Sequence, residues 1–187
     1  MSRFLLLIVL ACAAFGFAAC GGDQEETVTV GESEAVYVTL GELQYQVQLS
    51  RQLDQFSAGD RDLLKGVPAA QRALKPDEIW FAVWLRVENG TEDPQSTADE
   101  FRIKDTTGRE FAPVRLDATS PFAYRSVELA GDRAVYPSPG SASGQSPTTG
   151  AVLLFRMPVS ALDFRPLEFE FASSEIPGKV SAVRLDV

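Results

Sequence analysis

Residues 78–89 read EIWFAVWLRVEN, and this stretch restricts the fold more than any other part of the chain. Successive side chains of an extended strand project to opposite faces. Ile79, Phe81, Val83, Leu85 and Val87 therefore form one apolar face, with Trp80, Ala82, Trp84 and Arg86 on the other. A strand apolar on both sides belongs in the middle of a sheet or carries an exposed aromatic patch. The same period of two recurs in EAVYVTLGELQYQVQL. There Val36, Val38 and Leu40 point one way, and Leu43, Tyr45, Val47 and Leu49 alternate with Glu42, Gln44, Gln46 and Gln48.

The later segments repeat the pattern. FRIKDTTGREFAPV reads as two strands about a turn at residues 105–108, where Gly108 supplies the positive φ. GAVLLFRMPV, RPLEFEFA and KVSAVRLDV add three more strands. Eleven prolines break the chain into short pieces, and AGDRDLLKG is the one helical candidate, with Asp60 as N-cap and Gly66 just past its end. Seven or eight short strands without intervening helices predict an all-β fold: an immunoglobulin-like antiparallel β-sandwich with long loops and at most one short helix. The long connections run from about residue 52 to 77 and from about 117 to 149. The second ends in YPSPGSASGQSPTTG, which reads as a mobile surface excursion.

The N-terminus carries an address. Arg3 precedes an apolar run from Phe4 to Ala19 that ends in small residues before Cys20, the layout of a secretory signal peptide. FAAC resembles the lipobox of bacterial lipoproteins, in which the cysteine thiol is acylated and the chain is cut just before it. Ala18, Ala19 and Cys20 match, and Phe17 stands where leucine is usual. Cys12 also has a lipobox-like approach, but the apolar run before it is too short for export. The domain reading is thus a lipoprotein signal peptide over 1–19, a flexible acidic tether over 20–33, within which ETVTV could instead join the first strand, and a sandwich over 34–187. With Cys12 removed and Cys20 acylated, no disulfide remains to be formed, and about 150 residues bury a sufficient core without one.

IWFAVWLRVENGTEDP, FRIKDTTGREFAPV and GAVLLFRMPV together resemble the telokin-like, immunoglobulin-fold domain of unknown function found in bacterial surface lipoproteins. The matching elements are residues 87–89, 105–111 and 150–158, within a resemblance that covers about 47–187. It implies a sandwich and an exported, lipid-anchored location, and carries no mechanism.

Charge and residue types exclude several functions. The formal charge is −9, and loss of Arg3 makes it more negative, which argues against nucleic acid and against adhesion to anionic lipid. Membrane attachment then falls to the acyl group on Cys20. The absence of histidine removes Ser-His-Asp and Cys-His activation and the commonest transition-metal ligand. Met157 is the one soft ligand left besides Cys20, so no cofactor or metal is expected. Carboxylate chemistry remains open at Asp60, Asp62, Asp77, Glu78, Asp93, Asp99 and Glu100. Asn89, Glu92, Asp93, Asp99 and Glu100 sit within one loop that could ligate calcium. Asn89-Gly90-Thr91 matches a glycosylation acceptor, although a turn explains it better.

Trp80, Trp84, Phe122 and Tyr124 are the candidate partner-binding residues: either they pack beneath the second long loop, or together they make an exposed platform for a protein or glycan. The sequence reading is therefore an exported lipoprotein on the outer face of the cell membrane, or on the periplasmic side if two membranes surround the cell. Its sandwich binds a protein or envelope polymer without catalysis. The alternatives are an Asp/Glu hydrolase of envelope glycans and a purely structural envelope subunit.

Overall fold

The computed structural model describes residues 28–187, so Cys12, Cys20 and the signal segment lie outside the described residues. Among the described residues twelve strands form: β1 (Val30–Gly31), β2 (Tyr37–Leu40), β3 (Leu43–Leu53), β4 (Glu78–Asn89), β5 (Gln95–Ser96), β6 (Glu100–Lys104), β7 (Glu110–Phe111), β8 (Glu128–Leu129), β9 (Val135–Tyr136), β10 (Ala151–Pro158), β11 (Leu167–Ala172) and β12 (Val180–Leu185). One α-helix, α1 (Ala58–Leu64), and two 3-10 turns, Ala69–Gln71 and Val159–Asp163, complete the described elements.

β4 is central, as its two apolar faces require. It lies between β10 and β3 in the sheet β10-β4-β3-β2. The opposing sheet is β1-β12-β11-β6-β7. Phe81, Val83, Leu85 and Val87 of β4 meet Ile103, Phe169, Phe171, Val183 and Leu185 between the sheets, all buried. The chain changes sheet between β1 and β2, crosses between β4 and β6, returns between β7 and β10, and crosses again between β10 and β11. Pairing β3, β4 and β10 in one sheet and β6, β11 and β12 in the other is the immunoglobulin-like arrangement of strands A, B, E and C, F, G. The fold is an all-β sandwich with one short helix.

The structure corrects the sequence reading at five places. β1 pairs in parallel with β12, the one parallel pair among these ladders. The Thr39 N–H donates to the Val28 carbonyl at 2.7 Å, so the fold begins by residue 28 and not at 34. That contact protects the otherwise free edge of β2, which a sheet must cover to avoid pairing with other chains.

The second correction lies in β3. Its register against β4 shifts between Val47 and Leu49. Such a bulge adds one residue and reverses the face of everything beyond it. Leu43, Tyr45 and Val47 point between the sheets, while Leu49 and Leu53 turn outward to join Trp80 and Trp84.

Third, Ser57 rather than Asp60 occupies the N-cap of α1. Asp60 lies in the first turn, where its carboxylate accepts from the Asp54 N–H at 2.8 Å and from Arg51 at 2.6 and 3.0 Å. Fourth, β8 and β9 interrupt the second long connection, pairing with β5 and β4. Fifth, the serine- and glycine-rich end of that connection is a series of packed turns. Ser143 is buried and its hydroxyl donates to the Pro121 carbonyl at 3.1 Å, while a Cβ on Gly144 would fall 2.1 Å from the Ser138 carbonyl oxygen.

Candidate binding site

The four aromatic residues singled out from sequence do not form a platform. Trp80 and Trp84 are 2% and 4% exposed. They sit in a second apolar cluster on the outer side of β4, with Leu53, Val67, Leu116, Val152 and Leu154. Residues from α1, the turn after it and the segment preceding Tyr124 cover them, because a sheet apolar on both faces needs a layer over each. Arg51 places its guanidinium 5.2 Å from the Trp84 ring. Phe122 packs half-buried against this cluster.

Tyr124 belongs to the other core. Its ring stands edge-on to Phe101 and Tyr136, at 4.9 and 5.3 Å between centroids, and its hydroxyl donates to the Ala98 carbonyl at 3.0 Å. From the opposite side the Tyr45 hydroxyl accepts the Ala98 N–H at 2.8 Å. Burial pushes the pKa values of both phenols up. This clamp was missed in the sequence, where Tyr45 reads only as one more inward residue.

The carboxylates are engaged structurally. Hydrogen bonds from Arg51 lower the Asp60 pKa, against the opposing effect of burial. The Ser174 hydroxyl and N–H hold Asp99 low, at 2.5 and 2.9 Å. Glu78 accepts the Lys75 N–H at 2.9 Å, which lowers it, with Arg156 adding at 3.6 Å. Asp62 is lowered by Lys65 at 2.6 Å. Asp77, Asp93 and Glu100 are exposed.

The calcium loop does not assemble. Asn89 is buried, and its amide donates to the carbonyls of Asp93, Leu129 and Ala130 at 2.8–3.1 Å, while its oxygen accepts from Thr91. Asn89 is thus the pin of its loop and has no group left for an ion or a glycan. Among the described residues no three Asp, Glu, Cys or His side chains are grouped to hold a metal.

Two of the depressions among the described residues bear on binding. One, of about 560 Å³, runs along β6 where its pairing with β7 has ended. Its walls carry Arg102 and Glu170, a closed charge network with Lys104 and Glu110: Lys104 lies 2.7 Å from Glu170 and 3.4 Å from Glu110. These contacts raise the Lys104 pKa, Glu170 contributing most.

The other depression, of about 660 Å³, opens between α1 and the following turn, over a floor of Leu64, Val67 and Trp80. Phe56, 83% exposed, lies in the loop entering α1. Volumes of this order and a largely apolar floor suit a small-molecule or side-chain pocket. The sequence held a signal for it: Arg61 and Lys65 stand four residues apart on one helix face, next to the apolar pair Leu63 and Leu64.

Together these features define a β-sandwich whose β10-β4-β3-β2 sheet is roofed by a helix and loops, with an open pocket in the roof. No family model matches the chain, and no curated protein matches it in sequence. Among solved structures it is similar to the yjhA protein from Bacillus subtilis, at 11% identity and a TM-score of 0.48 over 83% of this chain and 99% of that one. It is also similar to an uncharacterized beta-sandwich protein from Clostridium difficile 630, at 8% identity and a TM-score of 0.42 over 82% of this chain and 93% of that one.

Proposed function

We propose that this chain is an exported lipoprotein, anchored by an acyl group on Cys20, whose telokin-like sandwich binds another molecule without catalysing its conversion. The single observation that carries the binding reading is the pocket over Leu64, Val67 and Trp80, an open depression in the layer that covers the sandwich. The anchoring part rests on the FAAC junction after an apolar run. The folded chain starts by residue 28, so the tether after Cys20 is shorter than the sequence alone implied, and the domain works close to the membrane.

The state of the carboxylates supports binding over glycan hydrolysis. A carboxyl general acid must hold a proton near neutral pH, which requires a raised pKa. Asp60, Asp62, Glu78, Asp99, Asp105 and Asp117 all shift downward. Ion pairs and N–H donors stabilise their charged forms, the opposite of what an acid catalyst needs.

The test is fractionation and capture. Expressed in a bacterial host, the wild-type chain is expected with the membranes and Cys20→Ser in the medium or periplasm. Chemical cross-linking of the anchored form is then expected to recover a bound partner. Membrane retention of Cys20→Ser would remove the lipid-anchor reading, and turnover of an envelope substrate lost on one carboxylate substitution would remove the binding reading.

A further inference from the structure

The charge around the pocket points to one class of occupant. Its rim carries Arg61, Lys65 and Arg72 against a single carboxylate, Asp62, which is already paired with Lys65 at 2.6 Å. In a chain with 26 acidic and 17 basic residues, three cations over one apolar floor is a local reversal of sign. Neither Arg61 nor Arg72 has a carboxylate at ion-pair distance among the described residues.

Arg72 is also set in place beforehand. Its Nε donates to the Val67 carbonyl at 2.9 Å and its Nη2 to the Lys65 carbonyl at 3.4 Å. These carbonyls lie at and just past the C-terminal end of α1, where a cation is favoured. The guanidinium is therefore positioned without a ligand, and its Nη1 has no acceptor among the described residues. Guanidinium groups match carboxylates in geometry and can donate two parallel hydrogen bonds. Beneath them, Trp80 lies in the floor almost wholly buried.

We infer that the pocket between α1 and the following turn binds a small amphipathic carboxylate, its apolar body on Leu64, Val67 and Trp80 and its carboxylate held by Arg61 and Arg72. This deepens the binding reading above and rests on it. A neutral amphiphile would gain the floor but not the rim, and a cation would meet like charge.

Tryptophan fluorescence and calorimetry test it on the full chain carrying Cys20→Ser, which removes the acyl site and so the need for competing detergent. The probes are octanoate, octanol and octylammonium. Octanoate is expected to produce a saturable change in emission that persists in Trp84→Phe, since Trp80 lines the pocket. Octanol and octylammonium should bind at least about tenfold more weakly, a difference of about 1.4 kcal/mol. Arg61→Gln and Arg72→Gln should each bring octanoate down toward octanol. Added salt should weaken octanoate and leave octanol unchanged, and octanoate binding should fall away below about pH 4 to 5 as the probe is protonated.

Equal affinities for octanoate and octanol, no response to octanoate up to millimolar concentration, or full binding by both arginine variants would overturn the inference. If octanoate fails while capture of a macromolecule from cells is lost in Arg61→Gln and Arg72→Gln, the small-ligand inference falls and the binding reading stands. If octanoate fails and no partner is captured, both fall.

Discussion

Replacing Tyr45 by Phe removes one oxygen atom from the centre of the sandwich and nothing else. Tyr45 is 1% exposed, and its ring packs 4.7 Å from that of Phe171, a contact that Phe retains. What disappears is the acceptor for the Ala98 N–H, 2.8 Å away in a residue that is fully buried. A buried donor left without an acceptor costs about 1–3 kcal/mol. For a domain of this size that lowers the melting temperature by about 2–12 °C. Tyr37→Phe is the control: the Tyr37 hydroxyl accepts from Arg86 at 3.1 Å, but the residue is 39% exposed, and its loss should stay below about 0.5 kcal/mol. Tyr124→Phe frees the Ala98 carbonyl in the same way. The double variant should cost less than the two singles together, because the segment at Ala98 can relax once either hydroxyl is gone. The assay is urea unfolding followed by circular dichroism, repeated across pH. Both phenols are raised above their ordinary value by burial, so their contribution is complete below about pH 10 and is lost as the pH rises further. Tyr45→Phe should therefore soften the alkaline loss of stability. A Tyr45→Phe protein as stable as Tyr37→Phe would refute the clamp.

Trp84→Ala should destabilise by about 3–5 kcal/mol, the cost of emptying a core aromatic site, since Trp84 is 4% exposed beside Leu49 and Val152; a loss under about 0.5 kcal/mol would restore the exposed-platform reading. Asp105 is held at about 2: burial pushes its carboxyl up, but the hydrogen bonds from Thr107 and Arg109 together outweigh that and bring it down. Its contribution is present above the unfolded value near about 4 and lost as pH falls toward 2. Asp105→Asn should thus be less stable than wild type at neutral pH, with the gap closing in acid, as read by unfolding at each pH.

The sheets were legible because alternation is a local property. β4, β11 and β12 fall where the period of two places them. The two-faced pattern of β4 already required cover on both sides. Leu49 was misassigned to the inner face because the bulge between Val47 and Leu49 arises from pairing with β4 and leaves no mark on the alternation. ETVTV reads both as tether and as a possible first strand, and its own residues do not decide, because β1 gains its partners from β12, about 150 residues away. Trp80 and Trp84 were correctly placed on the face opposite Phe81 and Val83. Whether that face was open depended on how residues 54–77 fold back over it, which no local pattern encodes. The pocket shares that origin, since Trp80, Arg61 and Arg72 belong to three separate elements and meet only in the roof.

A photo-activated cross-linking residue placed at Gln55, on the rim of the pocket, and in a second protein at Glu168, on the outer face of the opposing sheet, tests most directly where this chain binds. In membrane-anchored protein in living cells, adducts are expected at Gln55 and not at Glu168, and Arg72→Gln should diminish them. Adducts at Glu168 alone, or at both positions irrespective of Arg72, would contradict the account.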